Sequence, residues 1–236
     1  MLPTRPFAVL GICLALGLAV FGFQVSRAVK KGRDFDRFLS VRGLSERDVK
    51  ATLAIWPIRF ASYAEQLPQL KHTIEDNKAL VLDYLKEQGL SAEDISFGLP
   101  DVSDKSELPN QEEKSVLPRY KAITTLVVRS PKVDLVKQAI QHADSLLEKG
   151  ITLVSNDYGD KTEFVFDRIN DLKPDMIREA TANARASAEK FAQDSHAKVG
   201  AIRRATQGVV EIEDLDVATP EQKVVRVVTT VDFFLE

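Results

Sequence analysis

The chain has 236 residues, 44% of them hydrophobic and 28% charged, the balance of an ordinary globular protein whose core needs no staple. One cysteine, Cys13, excludes an intramolecular disulfide and a cysteine-based zinc site, and three histidines, His72, His142 and His196, leave few metal options. Five of the 32 basic residues (Arg5, Arg27, Lys30, Lys31 and Arg33) precede residue 34 and no acidic residue does, so the body carries 27 basic against 35 acidic side chains. An acidic body excludes nucleic acid as a partner, because phosphate contacts need a basic surface.

The first feature along the chain is "FAVLGICLALGLAVFGF", Phe7 to Phe23, uncharged and bounded by Arg5 and the basic run Arg27 to Arg33. At about 1.5 Å per residue it approaches the hydrocarbon thickness of a bilayer, so the sequence predicts one N-terminal transmembrane helix, with residues 1–33 as anchor and basic flank and membrane contact through residues 7–23. Cleavage after "SRA", at Ser26 to Ala28, is the alternative, opposed by Lys30 and Lys31. The basic flank by itself would keep the body in the cytoplasm.

In "VRGLSERDVKATLAIWPIRF", residues 41 to 60, the apolar positions Val49, Ala51, Leu53 and Ile55 alternate as in a half-buried strand, and beyond Trp56 and Pro57 the apolar parity passes to Ile58 and Phe60. That change of face predicts a bulge at Pro57, covered by Trp56. The only tryptophan of the chain is also a possible partner or ligand contact, together with Pro57, since tryptophan is enriched at binding hot spots.

A helix is predicted over about 67–88, with Leu70, Ile74, Val81 and Leu85 on one stripe and Gly89 as its stop. A short strand in "EDISFGL" and an exposed acidic loop over 101–118 follow. "YKAITTLVVRS", 120–130, is a strand, and Pro131 opens a second helix reaching Gly150, with Val133, Val136, Ile140, Ala143 and Leu147 inward. Two strands around the turn Asn156 to Asp160 read as a hairpin. A third helix, about 173–198, turns Ile177, Ala180, Ala184, Ala188 and Phe191 inward. "GVVEIED" and "KVVRVVTTVDFFLE" end the chain as paired strands, and the second is the expected assembly edge.

The fold class this order implies is α+β: a mixed, largely antiparallel sheet with about three helices packed on one face, residues 34–236 forming one domain behind the transmembrane helix. No chemical constellation emerges from it. His72, Glu75 and Asp76 share a helix face that is read as solvated rather than metal-binding. "SNDYGDKTE" lacks the ligand spacing of a calcium loop, and "EIEDLD", 211–216, reads as the polar end of a strand. Neither a glycine-rich phosphate loop nor a Gly-x-Ser-x-Gly elbow is present, and Cys13 lies inside the apolar run, away from an accessible thiolate. The expectation is therefore no enzyme, no catalytic residue, no metal and no cofactor.

Four stretches together, "SVRGLSERDVKATLAIWPIRF", "LKEQGLSAEDIS", "NARASAEKFA" and "RVVTTVDFFL", resemble the SIMPL-domain family of bacterial envelope proteins over about residues 38–236. The resemblance implies an exported, mixed-sheet domain, tethered in the inner membrane by a single pass with its soluble body in the periplasm, and a part in defence against oxidative stress. It supplies no catalytic residue. The expected function is a membrane-anchored, non-enzymatic envelope protein that self-assembles as a homo-oligomer, with an envelope ligand- or peptide-binding module as the alternative.

Overall fold

The computed structural model describes residues 14–19, 21–25, 37–107, 118–155 and 161–236. Cys13, the Ser26 to Ala28 segment, the turn 156–160 and the centre of the acidic loop lie outside them. In and just after the apolar run, residues 14–19 and 21–25 are helical and exposed. The transmembrane helix is corrected here: among the described residues no helix is long and apolar enough to cross a membrane.

The strands are β1 (Phe38–Lys50), β2 (Leu53–Ala64), β3 (Ile95–Phe97), β4 (Asp101–Asp104), β5 (Tyr120–Ser130), β6 (Thr152–Leu153), β7 (Glu163–Val165), β8 (Val199–Asp214) and β9 (Gln222–Leu235). The helices are α1 (Leu67–Glu87), α2 (Val133–Gln141), α3 (Ser145–Glu148) and α4 (Ile169–Asp194). The expected single mixed sheet with three helices on one face is also corrected, because the strands form two sheets. One has the order β1-β9-β8; the other has β3-β5-β2-β6, with β4 also on β5 and β7 also on β2.

The residues cluster into two compact units. The first takes the described residues up to Arg47 with Asn170–Glu211 and Arg226–Glu236; the second takes Asp48–Ile169 and Ile212–Val225.

In the first unit, β9 lies between β1 and β8. Its inward residues Val227, Val231 and Phe233 are fully buried, so "KVVRVVTTVDFFLE" is the centre of its sheet and not the expected edge. Helix α4 covers this sheet with Met176, Ala180, Ala184, Ala188 and Ala192, one residue in four. The alanine stripe is as expected, but Phe191 points to solvent at 60% exposure, and Met176 and Ala192 extend the stripe instead. Small side chains let the helix backbone descend onto β1, where Gly43 fits beneath Ala180 and Ala184. Around this contact the Asn183 side-chain amide donates to the Leu44 carbonyl at 2.8 Å and Ser45 Oγ donates to Glu179 Oε2 at 2.9 Å. The helix begins a turn before the expected start at Lys173, and Pro174 sits inside it, where its missing N–H removes one bond of the opening turns.

In the second unit, β2 and β5 pair antiparallel without interruption from Ala54 opposite Ser130 to Ala64 opposite Tyr120. No bulge exists at Pro57, which sits opposite Val127 in regular register. Pro57 is accommodated because its nitrogen points away from β5, to the flank where β7 pairs only Leu53 to Ile55 and β6 only Phe60 and Ala61. The change of buried parity is real but falls earlier: Val41, Gly43 and Ser45 are buried in β1, Ala54, Trp56, Ile58 and Phe60 in β2, and the switch occurs at the break Ala51 to Thr52.

Helix α1 packs on β2 and β5, and α2 packs on β2. Their core joins Trp56, Ile58 and Phe60 to Tyr84, Leu85, Leu126, Val128, Val136 and Leu146. Buried Tyr84 satisfies its hydroxyl by donating to the Ala139 carbonyl. Three local expectations differ here. The helix after Pro131 is interrupted at His142 to Asp144, where the Asp144 carboxylate caps the start of α3. The two strands read as a hairpin, β6 and β7, pair with β2 rather than with each other. The loop placed over 101–118 begins as β4, whose Asp101 to Asp104 pair with Ile123 to Tyr120.

Candidate functional site

A set of charged side chains in the second unit gathers where the β8–β9 connection meets α2. The connection is a closed turn. The Asp216 carboxylate accepts from the backbone N–H groups of Ala218 and Thr219 at 2.7 Å each and from the Thr219 hydroxyl at 2.8 Å, while Leu215 N–H donates to Gln222 O and Gln222 N–H to Thr219 O, both at 2.9 Å. An aspartate folded back onto its own backbone in this way fixes a turn of otherwise little preference. Those bonds hold the Asp216 carboxyl below its usual range, helped by the charge of Lys137.

Glu221 leaves this turn buried, with 6% of its surface exposed, and its backbone carbonyl accepts from Ala51 N–H at 2.8 Å. Lys137, from the exposed side of α2, donates to Glu221 Oε1. Glu221 Oε2 is buried with no hydrogen-bond partner among the described residues. Burial pushes the Glu221 carboxyl up, but the Lys137 hydrogen bond, a backbone bond and the charges of Lys137 and Lys50 outweigh it, and the group lies below its ordinary value. A carboxylate held ionised in this way anchors a cation and does not donate a proton.

Two further ion pairs surround it. Lys50 Nζ lies 2.6 Å from both Asp134 oxygens, and buried Lys223 pairs with Asp214. Beside Lys50 and Asp134, at the start of α2, is a shallow pocket of about 290 Å³ that includes Lys132 and Pro131. Each lysine of the cluster except Lys132 has a carboxylate of its own, so the charges are mutually compensated. What this arrangement does chemically is fasten the β8–β9 turn and the end of β1 to α2.

A second hollow, about 330 Å³, runs along α1, with Leu70 and Ile74 as its floor, Pro100 and Val102 opposite, and Lys71, Glu75 and Lys78 on its rim.

The residues singled out by sequence fall elsewhere. Trp56 is 7% exposed and belongs to the core of the second unit; Pro57, half-buried, is the next residue of the same strand. His72, Glu75 and Asp76 are exposed on α1, and among the described residues no group of three or more His, Cys, Asp or Glu is placed to hold a metal. "EIEDLD" contributes Asp214 and Asp216 to the turn. Lys137 and Glu221 are 84 positions apart in the chain, and no local pattern announces their pairing.

The first unit presents a different feature. β8 is the outer strand of its sheet, and from Ala201 to Val209 every residue is exposed, on both faces. Val209 is 81% exposed, a large apolar side chain on an unpaired strand edge.

The described residues are sheet-rich, with nine strands in two sheets, one carrying an alanine-striped helix and one a helical layer with its own core. The sequence matches the SIMPL family, described as "Protein of unknown function (DUF541)", over residues 39–233, and the chain belongs to that family. No curated protein matches the chain.

Proposed function

We propose that this chain is a non-enzymatic protein of the bacterial cell envelope whose SIMPL domain works in the periplasm, assembles with further copies of itself and supports tolerance of oxidative stress. The observation that carries the assembly is β8, a sixteen-residue edge strand exposed on both faces and bearing Val209. A long edge strand with one side unpaired is a template for strand addition. The absence of a readable nucleophile, phosphate loop or acid–base pair in the sequence supports a role without catalysis. Export and the stress role rest on the family resemblance.

Three readouts test the parts separately. The native mass of the full chain tests assembly: a discrete multiple of the monomer is expected, and a monomer at every concentration would contradict it. A reporter fused after Glu236 tests export, where activity of a cytoplasmic reporter and silence of a periplasmic one would overturn the localisation. Peroxide survival of a deletion strain, restored by the full chain, tests the stress role, and unchanged survival would overturn it.

A further inference from the structure

We propose that β8 pairs with β8 of a second copy, antiparallel and centred on Gln207, so that Arg203 of each copy lies opposite Glu211 of the other and two three-stranded sheets join into one of six strands. The proposal rests on the assembly reading above and names its contact. Three observations lead to it.

The first is the vacancy of the edge. β8 has β9 on one side only; β1 is the other outer strand, and α4 packs on its face over Val41 and Gly43. The second is exposure on both faces over residues 201–209.

The third is charge. The strand reads Arg203 and Arg204 in one half and Glu211 in the other, with Gln207 between them. Laid against itself in reverse, such a strand sets cation against anion at both ends, while a parallel copy would set like on like. Arg204 and Glu211 have no ion-pair partner among the described residues. Arg203 lies over the ring of Phe38, on β1 across β9 from the free edge, at 4.3 Å, so its guanidinium leaves that ring to meet the carboxylate of the second copy.

The register follows from symmetry. A two-fold axis that joins two antiparallel edges into one sheet keeps each face on its own side, so opposed residues must share parity. Centring on Gln207 satisfies this: Arg203 faces Glu211, Ala205 faces Val209, and Gln207 faces its own copy. The apolar Val209 is then covered.

The test uses the full chain with Cys13→Ser, so that Gln207→Cys carries the only thiol. Opposed residues of an antiparallel pair have Cα atoms about 4.5 or 5.5 Å apart, inside the span of a disulfide. A covalent dimer on mild oxidation is expected for Gln207→Cys and not for Glu189→Cys on the exposed side of α4. Adding Arg203→Glu or Glu211→Arg alone should lower the dimer yield about tenfold, since two symmetric attractions become repulsions, and the two together should restore it. If no Gln207→Cys dimer forms although the native mass is a multiple, the β8 contact is overturned and the assembly reading survives. If the native mass is that of a monomer, both fall. If each single reversal lowers the yield and the double reversal does not restore it, the register is overturned.

Discussion

Gly43 of β1 lies so close under α4 that a β-carbon at this position would come 1.8 Å from the carbonyl oxygen of Ala180 and 2.5 Å from the backbone nitrogen of Ala184. Both atoms belong to helix backbone, which cannot swing aside as a side chain would. The alanine stripe and this glycine are therefore one device: each removes bulk so that helix and strand can meet backbone to backbone, and Asn183, Ser45 and Glu179 bond across the same contact.

Gly43→Ala should then be among the most damaging single substitutions in the first unit. The helix must lift off the sheet, with a loss of roughly 3 kcal/mol, the upper part of the usual overpacking range. Urea unfolding of the full chain measures it. Gly98→Ala is the comparison, because a β-carbon there meets nothing nearer than 3.5 Å, and it should change the midpoint little.

Removing Lys137 leaves Glu221 buried without its cation. Lys137→Met should lower stability by roughly 3 kcal/mol at neutral pH, the low end for breaking a buried pair because the lysine is partly exposed. Lys137→Met with Glu221→Leu should recover most of that loss, since no charge then remains to be buried. The folded value of Glu221 lies below its unfolded one, so the contribution of the pair is present above the unfolded carboxylate range, about pH 4.3, and is lost as pH falls through the folded value. The gap between parent and Lys137→Met, followed by urea unfolding at descending pH, should accordingly narrow in acid; a gap that widens would contradict the assignment.

Trp56 and its neighbour should behave oppositely. Trp56 packs in the core of the second unit, and Trp56→Ala should lose roughly 3–5 kcal/mol. Pro57 donates no ladder bond and stands where neither β6 nor β7 pairs β2, so Pro57→Ala should stay within about 1 kcal/mol of the parent. A Trp56→Ala protein as stable as the parent would contradict the core placement.

Helix α1 and strand β5 were legible in the sequence almost to the residue, since both carry unbroken periodicity closed by a clear signal, Gly89 in one case and Pro131 in the other. β1 before Val49 was not, because its buried face is Val41, Gly43 and Ser45, too small to give an apolar alternation. The parity change between Ala51 and Phe60 was visible, but Trp56 and Pro57 drew it to themselves; the true break at Ala51 to Thr52 carries no proline or glycine. The "KPD" of α4 resembles a helix start, yet packing carried the helix a turn further back. The long β8 was hidden for the opposite reason: exposed on both faces, it has no periodicity to read, and only its C-terminal "GVVEIED" looked like a strand. The buried Lys137 to Glu221 pair depends on tertiary contact alone, and its residue types are ordinary surface residues in any local window.

The edge strand is where the account is most exposed to test. The first measurement is the native mass of the full chain by light scattering, beside the same chain carrying Val209→Lys, a charge placed on an 81% exposed position of β8 that should leave the fold intact. The account predicts a discrete multiple of the chain mass for the parent and a shift toward monomer for the variant. A parent that is monomeric at all concentrations, or a multiple that Val209→Lys leaves unchanged, would contradict it.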